Sequence, residues 1–180
     1  VSEQPTLPSE LTLLHAAMTA TIKAGMSRLQ LVEAYPVLRK GMKLPALLYA
    51  MTNLVPGPDP GDGRACVVAT FEACILVESS RPQAPLQAAI LATQLVKLLR
   101  HQFWDMDFVA GVYDVQAMPS ESIPDLVQCA AWSVQWRQDV YLGDTEWLWP
   151  DEPAGSLQFA PDPDMAFAVD SGGQAPEELA

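Results

Sequence analysis

Pro45-Ala-Leu-Leu-Tyr-Ala-Met-Thr-Asn-Leu54, then Pro56-Gly-Pro-Asp-Pro-Gly-Asp-Gly63, then Cys66-Val-Val-Ala-Thr-Phe-Glu-Ala-Cys-Ile-Leu-Val77 decide how this chain folds. Proline fixes φ and lacks an amide donor, and glycine tolerates φ > 0, so the middle piece is a loop. The flanking apolar runs are long enough to be two strands of one antiparallel ribbon, at 45–55 and 64–78. In the first strand Leu47, Tyr49 and Met51 face one way, Leu48 and Ala50 the other. In the second, Val67, Phe71, Ile75 and Val77 share a face, and Thr70 and Glu72 mark the other face as partly exposed, although Val68 and Leu76 also lie there. A strand with two apolar faces can pack a helix on one side and a partner chain on the other.

Working outward, residues 83–103 carry the strongest helical pattern. Ala88, Leu91, Ala92, Leu95, Val96, Leu99 and Phe103 form one stripe, with Gln87, Gln94, Lys97 and His101 opposite. Pro82 and Pro85 fit only its first turn. Upstream, Ser9 caps a helix over 9–25 whose apolar positions are Leu11, Leu14, Met18 and Ile22. Leu29–Tyr35 is a short extended piece, because Tyr35 precedes a proline. Downstream, 109–118 reads as a strand and 119–126 as a loop. Over 127–142 Trp132, Val134, Trp136, Val140 and Leu142 alternate with polar residues, with Gln138 the exception on the apolar face. The sum is an α+β domain over 1–143, a mainly antiparallel mixed sheet of four or five strands packed by two helices. Its expected core includes Leu14, Met18, Phe71, Leu91, Leu95, Leu99, Trp132 and Trp136.

The 180 residues leave room for one domain and an extension. The charge is divided unevenly. Of 22 acids, nine fall after Gly143, where there is no Lys or Arg, so this acidic 144–180 extension carries −9 of the net −12. Within it Trp147 and Trp149 form an isolated apolar knot. It can fold back onto the sheet or dock a neighbouring subunit, as aromatic anchors do. Residues beyond about 170 look disordered. The overall acidity argues against nonspecific nucleic-acid binding, which needs a basic footprint. No run reaches the ~18–20 apolar residues of a membrane span. The first residues, Val1-Ser-Glu-Gln-Pro-Thr6, lack a basic and then apolar leader, so synthesis in the cytoplasm is expected.

No catalytic constellation emerges. The loop at 56–63 has no Lys-Ser/Thr, and Asp59 and Asp62 would repel a phosphate. His15 and His101 have no metal-ligand neighbours at the required spacing, and neither a metal nor a cofactor is expected. Asp105 and Asp107 read as a polar turn ending the long helix rather than an acid/base pair. Cys66 and Cys74, eight steps apart on one strand, lie roughly 26 Å from each other and cannot bridge. With Cys129 they read as small buried hydrophobes or free thiols.

The order helix-strand-strand-loop-strand-helix-strand-strand over Ser9–Leu142 resembles the tail terminators of long-tailed phages, Mu-like and lambda-like tail-end proteins. At the residue level the resemblance rests on Leu31-Val-Glu-Ala-Tyr-Pro36, Lys43-Leu-Pro-Ala-Leu-Leu-Tyr49 and the Pro-Gly-Pro-Asp-Pro-Gly61 loop. Trp132-Ser-Val-Gln-Trp136 before Val140-Tyr-Leu-Gly143 completes it. The extension beyond Gly143 has no part in it. The resemblance implies a non-catalytic virion protein, assembled in the host cytoplasm and resident in the tail. It implies a homo-oligomeric ring, usually of six subunits, that caps the tail tube protein, ends polymerisation and presents a surface to the head-tail connector. DNA would pass through without specific binding, and no membrane is involved. Leu48, Pro56, Gly57, Asp59, Asp62, Arg64, Thr70, Glu72, Trp147 and Trp149 are the candidate contacts. Two alternatives are another tail-completion or connector subunit and, from a different class, a small cytosolic enzyme with a Cys or acid site.

Overall fold

In a computed structural model of the protein, residues 9–36, 41–120 and 129–146 are described. The chain divides into two units, Val1–Glu146 and Trp147–Ala180, and all described residues belong to the first. Its elements are α1 (Glu10–Gly25), β1 (Leu31–Ala34), β2 (Ala46–Pro56), β3 (Ala65–Glu78), α2 (Ala84–Leu99), β4 (Tyr113–Pro119) and β5 (Cys129–Leu142). The fold is α+β. One five-stranded mixed sheet has the order β1-β2-β3-β5-β4, in which only β1–β2 is parallel.

The two longest strands form the spine. β3 and β5 pair over their whole length, from Ala65 opposite Leu142 to Glu78 opposite Cys129. Because side chains alternate, this register puts Phe71, Ala73, Ile75, Val134, Trp136 and Val140 on one face. The rings of Phe71 and Trp136 stack with centroids 5.5 Å apart. Both helices cover this face. Leu14, Met18 and Ile22 of α1 and Leu91, Leu95 and Leu99 of α2 are buried against it. Every expected core residue lies there, although Trp132 is only partly buried at its rim. Among the described residues the opposite face carries a small cluster of Ala46, Leu48 and Leu76, packed by Met42 and Leu44.

Local chemistry sets the helix ends. The Ser9 hydroxyl accepts from the Thr12 amide and caps α1. Gly25 closes it by allowing a close approach, since a Cβ there would collide with Leu98 Cδ1 of α2. The long helix stops at Leu99, four residues before the end expected from sequence. His101, Trp104 and Asp105 adopt positive φ, and the chain turns back through the polar turn that holds Asp105 and Asp107. Phe103 is therefore not on the buried stripe but half exposed, and Trp104 takes the interior position instead. Tyr35 also departs from expectation: it is left-handed (φ 47°) rather than extended. β4 starts at Tyr113, with Val109 forming only an isolated bridge to Val140.

Trp104 is held by Gln138, the polar exception on the apolar face of β5. Gln138 is completely buried; its Oε1 accepts from Trp104 Nε1 at 2.8 Å, and its Nε2 donates to the Ala110 carbonyl at 2.8 Å. One amide thus satisfies two buried groups of the returning loop. Gln138→Leu should leave both without partners, at about 1–3 kcal/mol for each orphaned group. Denaturant titration should show that loss, and adding Trp104→Phe, which deletes one orphan, should recover part of it.

His15 on α1 packs among the rings of Tyr35, Tyr49 and Phe71. Its Nε2 lies 3.3 Å from the Tyr35 hydroxyl, while Nδ1 is buried without a partner. Burial lowers its pKa below the ordinary 6.5. The unfolded chain then takes up the proton first, so His15 favours the fold above about pH 6.5 and this contribution is lost as pH falls toward the depressed value. Urea titrations at pH 7.5 and 5.5 should show a smaller stability difference in His15→Gln than in the parent.

Candidate functional site

β2 outruns its neighbours. β1 pairs only with Ala46–Tyr49, so the remaining length of β2 to Pro56 is bonded to β3 on one side and, among the described residues, to no strand on the other. The helical cover ends in the same region. Residues 52–56 are all exposed, including Leu54 at 45% and Val55 at 43%. Between Met51 and Asn53 the register shifts by one residue. Such a bulge leaves one residue unpaired and increases local twist. Past it, Leu54 lies opposite Ala69 and Val55 opposite Val68, so this arm has an apolar side chain on each face.

The loop beyond the arm is ordered by its own side chains. Asp59 Oδ1 accepts from the Gly61 amide at 2.8 Å. Asp62 Oδ2 receives both Nε (2.8 Å) and an Nη (2.6 Å) of Arg64, and its Oδ1 accepts the Arg64 amide. The Arg64 guanidinium lies over the Tyr141 ring of β5, 4.9 Å from its centroid. Hydrogen bonding to Arg64 is the main cause that holds the Asp62 carboxyl below its ordinary pKa. At the base, the Gly57 amide donates to the Cys66 carbonyl (2.9 Å), and a Cβ on Gly57 would sit 2.5 Å from Cys66 Sγ. Gly63 is at φ 86° with the Glu146 side chain against it, and the Glu146 amide donates to the Asp62 carbonyl at 2.7 Å. The first residues of the acidic extension therefore close onto this loop.

The candidate residues divide on these facts. Pro56, Gly57, Asp59, Asp62 and Arg64 lie together on the arm and its loop. Glu72 is exposed on the barely covered face of β3 and accepts from the Ser133 hydroxyl. Leu48 and Thr70 are covered within the chain, at 4% and 7% exposure, so the second face of β3 is less open at Thr70 than expected. Trp147 and Trp149 fall outside the described residues. From sequence, self-association is expected on the exposed faces of 45–55 and 64–78 and on the 56–63 loop, but of 45–55 only Leu48 is named, not Leu54 or Val55. The signal was present in two apolar residues just before a proline-rich loop, but their exposure depends on where β1 and the helices stop.

The remaining chemistry is quiet. Burial raises the thiol pKa of Cys66, Cys74 (to about 11) and Cys129, which opposes thiolate chemistry at neutral pH. Among the described residues no group of three His, Cys, Asp or Glu side chains is placed to hold a metal, and no helix is long and apolar enough to cross a membrane.

No family model matches the chain, and no curated protein matches it. Among solved structures it is similar to the sheath/tube terminator of PVC, an extracellular contractile injection system, in the extended state. The identity is 14% and the TM-score 0.40, over 86% of this chain and 66% of that one. The chain thus spans slightly less than two thirds of that protein's length.

Asp62→Asn should open the clip without unfolding the sheet, because both partners are partly in water and lie outside the hydrophobic core. Hydrogen exchange at the Arg64 amide should accelerate while the melting temperature stays put. In the parent, the protection of that amide relative to its intrinsic exchange rate should fall as pH drops through the depressed pKa of Asp62, since protonation removes the charge that Arg64 holds.

Proposed function

We propose that this chain is a structural subunit that assembles with copies of itself into a ring. The ring closes the end of a phage-type tail tube and offers the joining surface for the head connector. The observation that carries this reading is the β2 arm, an edge that pairs with no strand among the described residues, with apolar residues on both faces next to an ordered loop. Unpaired edges invite strand addition, and stable proteins commonly blunt them with lysine or an inward charge. From Ala50 to Val55 this arm has no charged residue at all. The far edge of the same sheet, β4, is also unpaired on its outer side among the described residues and largely exposed.

A sheet that the described residues leave open at both edges suits head-to-tail contacts, which either close into a ring or run on as a filament. Ending a tube requires closure. The sequence resemblance to phage tail terminators supplies the setting, with a tube protein below and a connector above, in the virion tail. It also supports a non-catalytic role with no resident cofactor.

The test is the solution mass of the full chain, with electron microscopy of the particles and a tube-capping assay. A closed ring that stops tube growth is expected, and a monomer that never caps tubes would overturn the proposal. Leu54→Lys should shift the particle toward monomer by at least tenfold in association constant. Its melting temperature should hardly move, because the residue is already half in water.

A further inference from the structure

Charge in this molecule is sorted by layer. The helical layer, residues 9–28 and 79–101, holds five bases (Lys23, Arg28, Arg81, Lys97 and Arg100) against one acid, Glu10. The rest of the described chain holds eleven acids against Lys43, Arg64 and Arg137. Arg64 and Arg137 are paired, with Asp62 and Asp114, whereas none of the five helical-layer bases has an ion pair among the described residues. In a chain of net charge −12 the helical layer is therefore a positive island.

That island contains a groove. An open depression of about 450 Å³ between the end of α1 and the last turns of α2 is lined by Arg28, Gln94, Lys97 and Leu98. A second, of about 410 Å³, shares Arg28 and adds Arg81, Gln87 and Ile90. Arg28, Arg81 and Lys97 are all exposed, and Ile90 and Leu86 stand exposed one turn apart on α2. The surface alternates cations, amides and apolar side chains. A polyphosphate backbone would demand a denser run of bases.

The complementary composition is in the chain itself. Residues 147–180 carry seven acids (Asp151, Glu152, Asp162, Asp164, Asp170, Glu177 and Glu178), no Lys or Arg, and interspersed Trp147, Trp149, Phe159, Met165 and Phe167. We infer that the Arg28–Arg81–Lys97 groove docks the acidic 147–180 segment of a second copy of this chain. The 34 residues are long enough to follow both depressions, spanning up to about 110 Å if extended. Carboxylates would meet the three cations, and aromatic or aliphatic side chains would meet Ile90 and Leu98. The inference needs a second copy but no tube, so it stands or falls separately from the capping role.

The test is a charge swap in the full chain. One variant reverses the groove (Arg28→Glu, Arg81→Glu, Lys97→Glu), and the other reverses the segment (Asp151→Lys, Asp162→Lys, Asp164→Lys, Asp170→Lys, Glu177→Lys). Sedimentation should show each variant alone associating at least tenfold more weakly than the parent, and parental association growing weaker as salt rises. An equimolar mixture should regain association, because each reversed surface then meets its complement on the other chain. A fluorescent 147–180 peptide should bind the parent and not the groove variant, with the preference inverted for the lysine-bearing peptide. Should the groove variant misfold by circular dichroism, Arg28→Gln/Lys97→Gln takes its place with the same peptide readout. Unchanged association in the variants, no rescue on mixing, or loss of duplex DNA binding in the groove variant without loss of peptide binding would each overturn the assignment. Failure to cap tubes with the swap intact would overturn only the capping role.

Discussion

Everything in this fold hangs on the antiparallel ladder between β3 and β5. Its fourteen paired positions set which side chains share a face, and a slip of one residue would turn Phe71 and Trp136 away from the helices. The stacked pair marks the centre of that register. α1 and α2 have apolar stripes that are useful only against such a surface, because short isolated helices are marginal in water. β2 and β4 then extend the ladder outward on its two sides.

The same ladder explains the uncovered arm. β2 follows β3 well past the point where β1 stops, so among the described residues its ladder there is met on one side only. A hairpin that outruns its sheet gives up burial at Leu54 and Val55. It compensates locally: the Asp62–Arg64 clip, the Tyr141 ring beneath it and the Glu146 amide fix the loop without a hydrophobic core. An ordered, apolar projection loses little further conformational freedom when a partner covers it.

Charge sorting adds a second kind of surface on the opposite layer. Exposed helix positions tolerate almost any polar residue, so packing does not force α2 to lack acids while the sheet and loops carry most of them. A positive helical layer in an acidic molecule is a long-range field as well as a contact surface, and salt weakens it with distance. Apolar edge and charged groove lie on different elements and respond to different conditions.

The sequence alone determined the two helices, the α+β class and the alternating faces of β2, β3 and β5, because side-chain periodicity is local and strong in these segments. It also placed the loop at 56–63, where proline and glycine leave no alternative. The tertiary structure decided what local patterns do not contain. Phe103 continues the helical stripe by spacing, yet the chain leaves the helix at Leu99 so that Trp104 can reach Gln138, thirty-four residues downstream. Gln138 looked like a flaw in an apolar face until the carbonyl of Ala110 and the indole of Trp104 gave it partners. Leu48 and Leu54 occupy the same strand, but Leu48 sits in the cluster that Met42 and Leu44 pack, whereas Leu54 lies beyond both that cluster and the end of β1. Periodicity tells which way a side chain points; whether anything lies there depends on contacts between residues far apart in the chain.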